Sequence, residues 1–153
     1  LFKLWVHRWP KFFKHPTNPK KFKQNAFTEL IEEYTRSISD TGDLEVGFHP
    51  HPEKEINGLN EKVQMELFKI IQELMTNTIK HAEASKVDIH LSLIEDELSL
   101  LFEDDGKGFS SSEVSDGIGF SNLKNRVTEL SGALNIDSAK NRGTVISIIV
   151  PNT

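Results

Sequence analysis

The 153-residue sequence contains no cysteine, which excludes disulfides, thiol catalysis and Cys-ligated zinc or iron–sulfur centres. No apolar run approaches the roughly 18–20 residues of a membrane span, and no stretch has the layout of a signal peptide. Glycine and proline, at 9 and 6 residues, are too sparse for a collagenous or low-complexity chain, and 37% hydrophobic with 27% charged residues is a globular composition. The length suits one ordinary domain plus a short appendage. Because the first residue is Leu1 and not Met, the sequence reads as a piece of a longer chain.

Residues 1–28 have no acid at all. They hold seven of the 18 Lys and Arg residues and seven of the 13 aromatic residues, whereas all 23 acids lie beyond them and give the chain its net charge of −5. So abrupt a step marks a boundary, placed at residues 1–26 against a domain over 27–153. Cations interleaved with Trp5, Trp9, Phe12 and Phe13 suit a membrane or nucleic-acid surface. Pro10, Pro16 and Pro19, however, break any long amphipathic helix. The favoured reading is a linker or the edge of a preceding region, with no nucleic-acid partner.

Apolar spacing predicts a helix from Phe27 to about Ser39 and a strand over Leu44–Phe48. A loop is expected over His49 to Asn60, then a long helix from Glu61 to about Glu83 capped by Asn60. Two hairpins follow, Val87–Leu93 with Glu97–Glu103 and Ala133–Asp137 with Thr144–Val150, separated by a Gly- and Ser-rich loop and a helix carrying Phe120, Leu123, Val127 and Leu130. Without strict βαβ alternation, the expected class is α+β, with helices on one face of a mixed, mainly antiparallel sheet.

Four elements carry chemistry. On the long helix Glu73, Asn77, Lys80 and His81 stand at i, i+4, i+7 and i+8, aligning an acid, an amide and two basic groups on one face. Alone, that is an ordinary solvated face. Asp104-Asp105-Gly106-Lys107-Gly108 follows the end of a strand, where glycines let a flat ligand come close and an aspartate can accept from an exocyclic amine. The glycine pair Gly117 and Gly119 opens a helix and aims backbone N–H groups at an anion. Asn141-Arg142-Gly143-Thr144 enters the last strand and can return a hydroxyl to the same pocket. No Walker-type phosphate loop exists, and Asn122 stands where a dinucleotide fingerprint needs its third glycine. His49 and His51 lie between prolines and read as solvated side chains, not a metal pair.

In order and spacing, the run Gln72 to Ala82, then Asp104-x-Gly106-x-Gly108, Gly117-x-Gly119 and Arg142-Gly143-Thr144, resembles the catalytic ATP-binding domain of bacterial sensor histidine kinases. The likeness is to the nitrate-sensor and desaturase-thermosensor type and covers about residues 27–151. It implies a Bergerat-type two-layer sandwich that binds ATP and Mg²⁺. Carried over residue by residue, it implies Asn77 as the Mg²⁺ ligand, Glu73 as the acid that orients or deprotonates the attacking group, and Lys80 and His81 facing the phosphates. Asp104 matches the partner of the adenine amine and Thr144 a hydroxyl near it, while Gly106, Gly108, Gly117 and Gly119 bound a short lid.

One departure matters. The family's phosphoacceptor is a histidine followed by an acid, and none of His7, His15, His49, His51, His81 and His90 has that neighbour. The expected function is therefore the ATP-binding half of a histidine kinase, delivering the γ-phosphate to a histidine on a separate dimerisation domain and, through it, serving a response regulator. The fragment is expected to be monomeric and cytoplasmic, within a homodimeric parent anchored in the bacterial inner membrane. The alternatives are an ATP hydrolase of the gyrase or chaperone type, whose lids are longer than the eight residues from Phe109 to Asp116, and a nucleotide-binding module without chemistry.

Overall fold

The structure, a computed structural model, describes residues 25–110 and 120–152. Helix α1 (Phe27–Ser39) leads to strand β1 (Glu45–His51), the short helix α2 (Glu53–Asn57) and the long helix α3 (Glu61–His81). The hairpin β2 (Lys86–Ile94) and β3 (Glu97–Asp104) follows, then α4 (Phe120–Glu129) and a second hairpin, β4 (Ala133–Ala139) and β5 (Gly143–Pro151).

The five strands form one sheet in the order β1-β2-β3-β5-β4. Only β1 and β2 pair in parallel; every other neighbour is antiparallel. Parallel neighbours need a crossover, and α2 with α3 supplies it. The expected α+β class, with a mixed and mainly antiparallel sheet, is what forms.

Period-2 alternation sends Val87, Ile89 and Leu91 of β2, Leu98, Leu100 and Phe102 of β3, and Ile146, Ile148 and Val150 of β5 to one buried face. Helix α3 lays Leu67, Phe68, Ile70, Ile71, Leu74 and Met75 into the same core, joined by Leu123 and Val127 of α4 and by Phe27, Leu30, Ile31 and Tyr34 of α1. The opposite strand positions, among them His49, His90 and Val145, are exposed. Helices thus cover one face of the sheet.

The stretch 49–60, expected to be a loop, is instead the end of β1 followed by α2. Pro50 is tolerated because β1 is an edge strand, where a missing N–H interrupts no second ladder. Pro52 precedes the first turn of α2, the place where proline's fixed φ suits a helix start. Asn60 caps α3 as expected, its side chain accepting from the Lys62 backbone N–H at 2.8 Å. His49 and His51 consequently lie on β1. His49 Nε2 is 3.2 Å from Asp88 Oδ1 and its ring stacks on His90, so this pair is ordered by the sheet and not free in a loop. The basic segment, apart from Asn25 and Ala26, lies outside the described residues, as do Gly117 and Gly119.

Candidate functional site

Strand register brings the site together. Across the sheet, Val87 of β2 pairs with Asp104 of β3, which pairs with Thr144 of β5. This row is where β2 and β5 begin and β3 ends. Four residues link the C-terminus of α3 at His81 to the start of β2, so Asn77, Lys80 and His81 must come down beside the same row. The convergence encloses a cavity of about 380 Å³, lined by Asn77, Lys80, His81, Asp104, Gly108 and Thr144 together with Leu74, Thr78, Ala82, Lys107, Phe109, Phe120 and Ile146. Its size and its mixture of apolar walls with a few convergent polar groups suit a small-molecule site.

Each wall has a local cause. The two aspartates after β3 divide their duties: Asp105 Oδ1 accepts from the backbone N–H groups of Ser85 and Lys86 at 2.8 and 2.9 Å, tying down the start of β2. Asp104 turns into the cavity. Its Oδ1 accepts from Gly106 N–H at 2.8 Å, and burial raises its pKa above the usual carboxylate value, a rise opposed by the Gly106 and Thr144 backbone N–H groups and reinforced by neighbouring Asp105.

Gly106 does not itself line the cavity. It lets the chain pass the end of α3: a Cβ there would run into the Ala82 carbonyl and lie 2.8 Å from the Ala82 side chain. The next residue completes the crossing, with Lys107 N–H donating to Ala82 O at 2.7 Å and Asn141 N–H donating to Lys107 O at 2.6 Å. Because the obstacle is backbone, Gly106→Ala should lower stability by about 1–3 kcal/mol and weaken ligand binding in the cavity by displacing Asp104. Chemical denaturation paired with calorimetry checks both effects.

Asn77 lies in the penultimate turn of α3, still inside the helix, where the side chain is poor for helix propensity. Its amide Nδ2 is buried and has no hydrogen-bond partner among the described residues. Buried polar groups are nearly always paired, so an orphan on a cavity wall invites a ligand. Amide orientation is interchangeable: the flipped amide presents Oδ1, a hard oxygen of the kind Mg²⁺ prefers. In the last turn of α3, exposed Lys80 adds positive charge and exposed His81 an imidazole to the cavity rim.

Glu73, expected on the same face as Asn77, stands beside the cavity instead of lining it. Its Oε2 accepts from Arg126 Nε of α4 at 3.3 Å, and Arg126 Nη1 also reaches Glu66 Oε2 at 3.4 Å. Sequence reasoning missed Arg126, since nothing local relates residues 53 positions apart. It also missed Ser138, whose Oγ accepts from Phe109 N–H at 3.0 Å and lies 2.8 Å from Thr144 Oγ1. Phe109 and Phe120, whose rings meet at 5.4 Å, bring together the two ends of the segment between them.

Residues 62–153 match the family model described as histidine kinase-, DNA gyrase B- and HSP90-like ATPase. The chain belongs to this ATPase family. Among curated relatives, the sensor histidine kinase LiaS of Bacillus subtilis is 30% identical over 129 residues, covering 84% of this chain and 34% of that protein. The signal transduction histidine-protein kinase/phosphatase DegS of Brevibacillus brevis is 38% identical over 94 residues, or 61% of this chain and 24% of that one. The chain therefore spans about a quarter to a third of such relatives. Among solved structures, a blue-light-activated histidine kinase of Erythrobacter litoralis has the same fold, with a TM-score of 0.69 at 20% identity, covering 84% of this chain and 42% of that one. Within this family, the curated relatives that the chain resembles are sensor histidine kinases. No helix among the described residues is long and apolar enough to cross a membrane.

Proposed function

We propose that residues 27–153 bind Mg²⁺-ATP in the cavity between α3, the end of β3 and the start of β5, and transfer its γ-phosphoryl group to a histidine on a separate dimerisation domain. The observation that carries this reading is the convergence of Asn77, Asp104 and Thr144, 67 positions apart at the extremes, on one cavity whose only orphaned amide among the described residues is that of Asn77.

In this reading Asp104 accepts from the adenine amine, with Thr144 beside the ring. Lys80 and His81 neutralise phosphate charge. Gly106, Gly108, Gly117 and Gly119 bound the lid, the last two lying outside the described residues. Asn77 would hold Mg²⁺ through its amide oxygen; the metal supplies charge neutralisation on the phosphates when bound. In the transfer, a lone pair of the acceptor imidazole forms a P–N bond while the bond from the γ-phosphorus to the β–γ bridging oxygen breaks and leaves ADP. Glu73 orients that imidazole and holds or takes the proton of its other nitrogen. Phosphoryl transfer asks mainly for such positioning, which a rigid helix provides.

The partners that follow are the acceptor domain, through it a response regulator, and a second copy of the parent, with the kinase anchored at the bacterial inner membrane and this domain on its cytoplasmic side. With radiolabelled ATP the isolated chain should remain unlabelled, whereas an added acceptor domain of the parent should gain acid-labile label that depends on Glu73 and Asn77. Label on any histidine of the chain itself would contradict the division of labour, and steady ATP turnover without acceptor would favour the hydrolase reading.

A further inference from the structure

We propose that Arg126 is the positioning residue for Glu73: its guanidinium, anchored on Glu66, holds Oε2 of Glu73 and leaves Oε1 directed to the acceptor. The proposal rests on the reading of Glu73 as the group that orients the acceptor imidazole.

A lone glutamate on a helix surface rotates among several rotamers, and an acid–base group must be held by a third group to work in one geometry. Glu66 and Glu73 are two turns apart on α3, and their side chains are 13% and 19% exposed. Arg126 bridges them with different nitrogens, Nη1 to Glu66 and Nε to Glu73. The planar guanidinium is thereby fixed at two points on one rigid helix and cannot swing with Glu73. Lys69 Nζ also lies 3.3 Å from Glu66, so that carboxylate keeps a cation of its own and acts as the anchor of the network. No partner among the described residues engages Oε1 of Glu73.

As a bare interhelical ion pair the bridge would contribute little, since Arg126 is 35% exposed. Its placement gives it a further role. Helix α4 begins at Phe120, a cavity wall, and carries Arg126 less than two turns later. One rigid element therefore sets both a contact surface for the nucleotide and the orientation of the acid.

The test is a double-mutant cycle in the kinase that carries this domain together with its acceptor histidine, reading the rate of acceptor phosphorylation at saturating ATP, ATP affinity by calorimetry and the melting temperature. Glu73→Gln should lower the rate about 100-fold or more, within the range of general acid–base groups. Arg126→Ala should lower it roughly 10- to 100-fold, as small misplacements of a catalytic group do, with ATP affinity within about twofold of wild type. Arg126→Lys should fall between alanine and wild type, because it keeps the cation but not the fork. In the Glu73→Gln background, Arg126→Ala should have no further effect. A wild-type rate for Arg126→Ala, or additive losses in the double variant, overturns the proposal while leaving Glu73's role intact. A wild-type rate for Glu73→Gln overturns that role and the proposal with it.

Discussion

Asn77→Ala should make the domain more stable and sharply weaken its binding of Mg²⁺-ATP. The substitution removes a buried amide nitrogen that has no partner among the described residues, a liability of about 1–3 kcal/mol, and improves helix propensity by roughly 0.5–0.7 kcal/mol at a position inside the helix. Lost packing offsets part of this, so a net gain of about 1 kcal/mol is expected, seen as a melting temperature higher by roughly 3–6 °C. In the same variant Mg²⁺-ATP affinity should fall about 100-fold or more, because the proposed metal ligand is gone and an isolated metal–phosphate charge cluster is costly to bury without it. Stability and binding moving in opposite directions are the mark of a residue kept for its ligand and not for the fold. A melting temperature that falls with little change in affinity would make Asn77 a structural residue.

For Asp104→Asn the expected result is loss of adenine selectivity at no cost to the apo fold. The wild-type carboxylate uses Oδ1 on Gly106 N–H and is proposed to accept from the adenine amine. Asparagine can keep the backbone contact with its carbonyl but then turns an NH₂ donor toward the amine, where two donors face each other. Losing a hydrogen bond to a charged acceptor, about 1.5–3 kcal/mol, corresponds to roughly 10- to 150-fold weaker ATP binding. GTP, which offers a carbonyl there, should gain relative to ATP. The apo protein should respond to pH with a definite sign. Burial raises the Asp104 pKa above 3.8 in the folded state, so the folded protein binds this proton more tightly than the unfolded chain. Ionisation then lowers stability as pH rises through the folded value. At neutral pH the asparagine variant should melt at or above the wild-type temperature, and the gap should close toward pH 4 and below. A gap that widens on acidification would contradict the burial argument.

How much of this was legible in the sequence depended on whether the signal was local. Helices α1, α3 and α4 and both hairpins follow from apolar periodicity, and their termini shift by only a residue or two. Residues 49–60 depart from the expected loop because Pro50 and Pro52 do not break structure where they stand. An edge strand and the residue just before a helix both accept them, and edge status is a property of the assembled sheet. Among the site residues, Asn77, Lys80, His81, Asp104, Gly108 and Thr144 all meet at the cavity, because strand register carries separate motifs to one row. Asp104 could be told from Asp105 only by the resemblance; in the structure Asp105 is consumed by the backbone of β2. Arg126 and Ser138 had no signal at all. One is an arginine on an exposed-looking helix and the other a serine in a hairpin, and each acquires its role from partners far away in the chain or across a turn.

The central claim is that one cavity binds Mg²⁺-ATP through Asn77 and Asp104, and calorimetric titration of the wild-type chain with ATP and with GTP, each with and without Mg²⁺, tests it most directly. Saturable one-to-one binding of ATP that strengthens on adding Mg²⁺ is expected, with GTP binding weaker by at least about tenfold, one hydrogen bond's worth of discrimination. Equal affinity for the two nucleotides, or ATP binding indifferent to Mg²⁺, would contradict it.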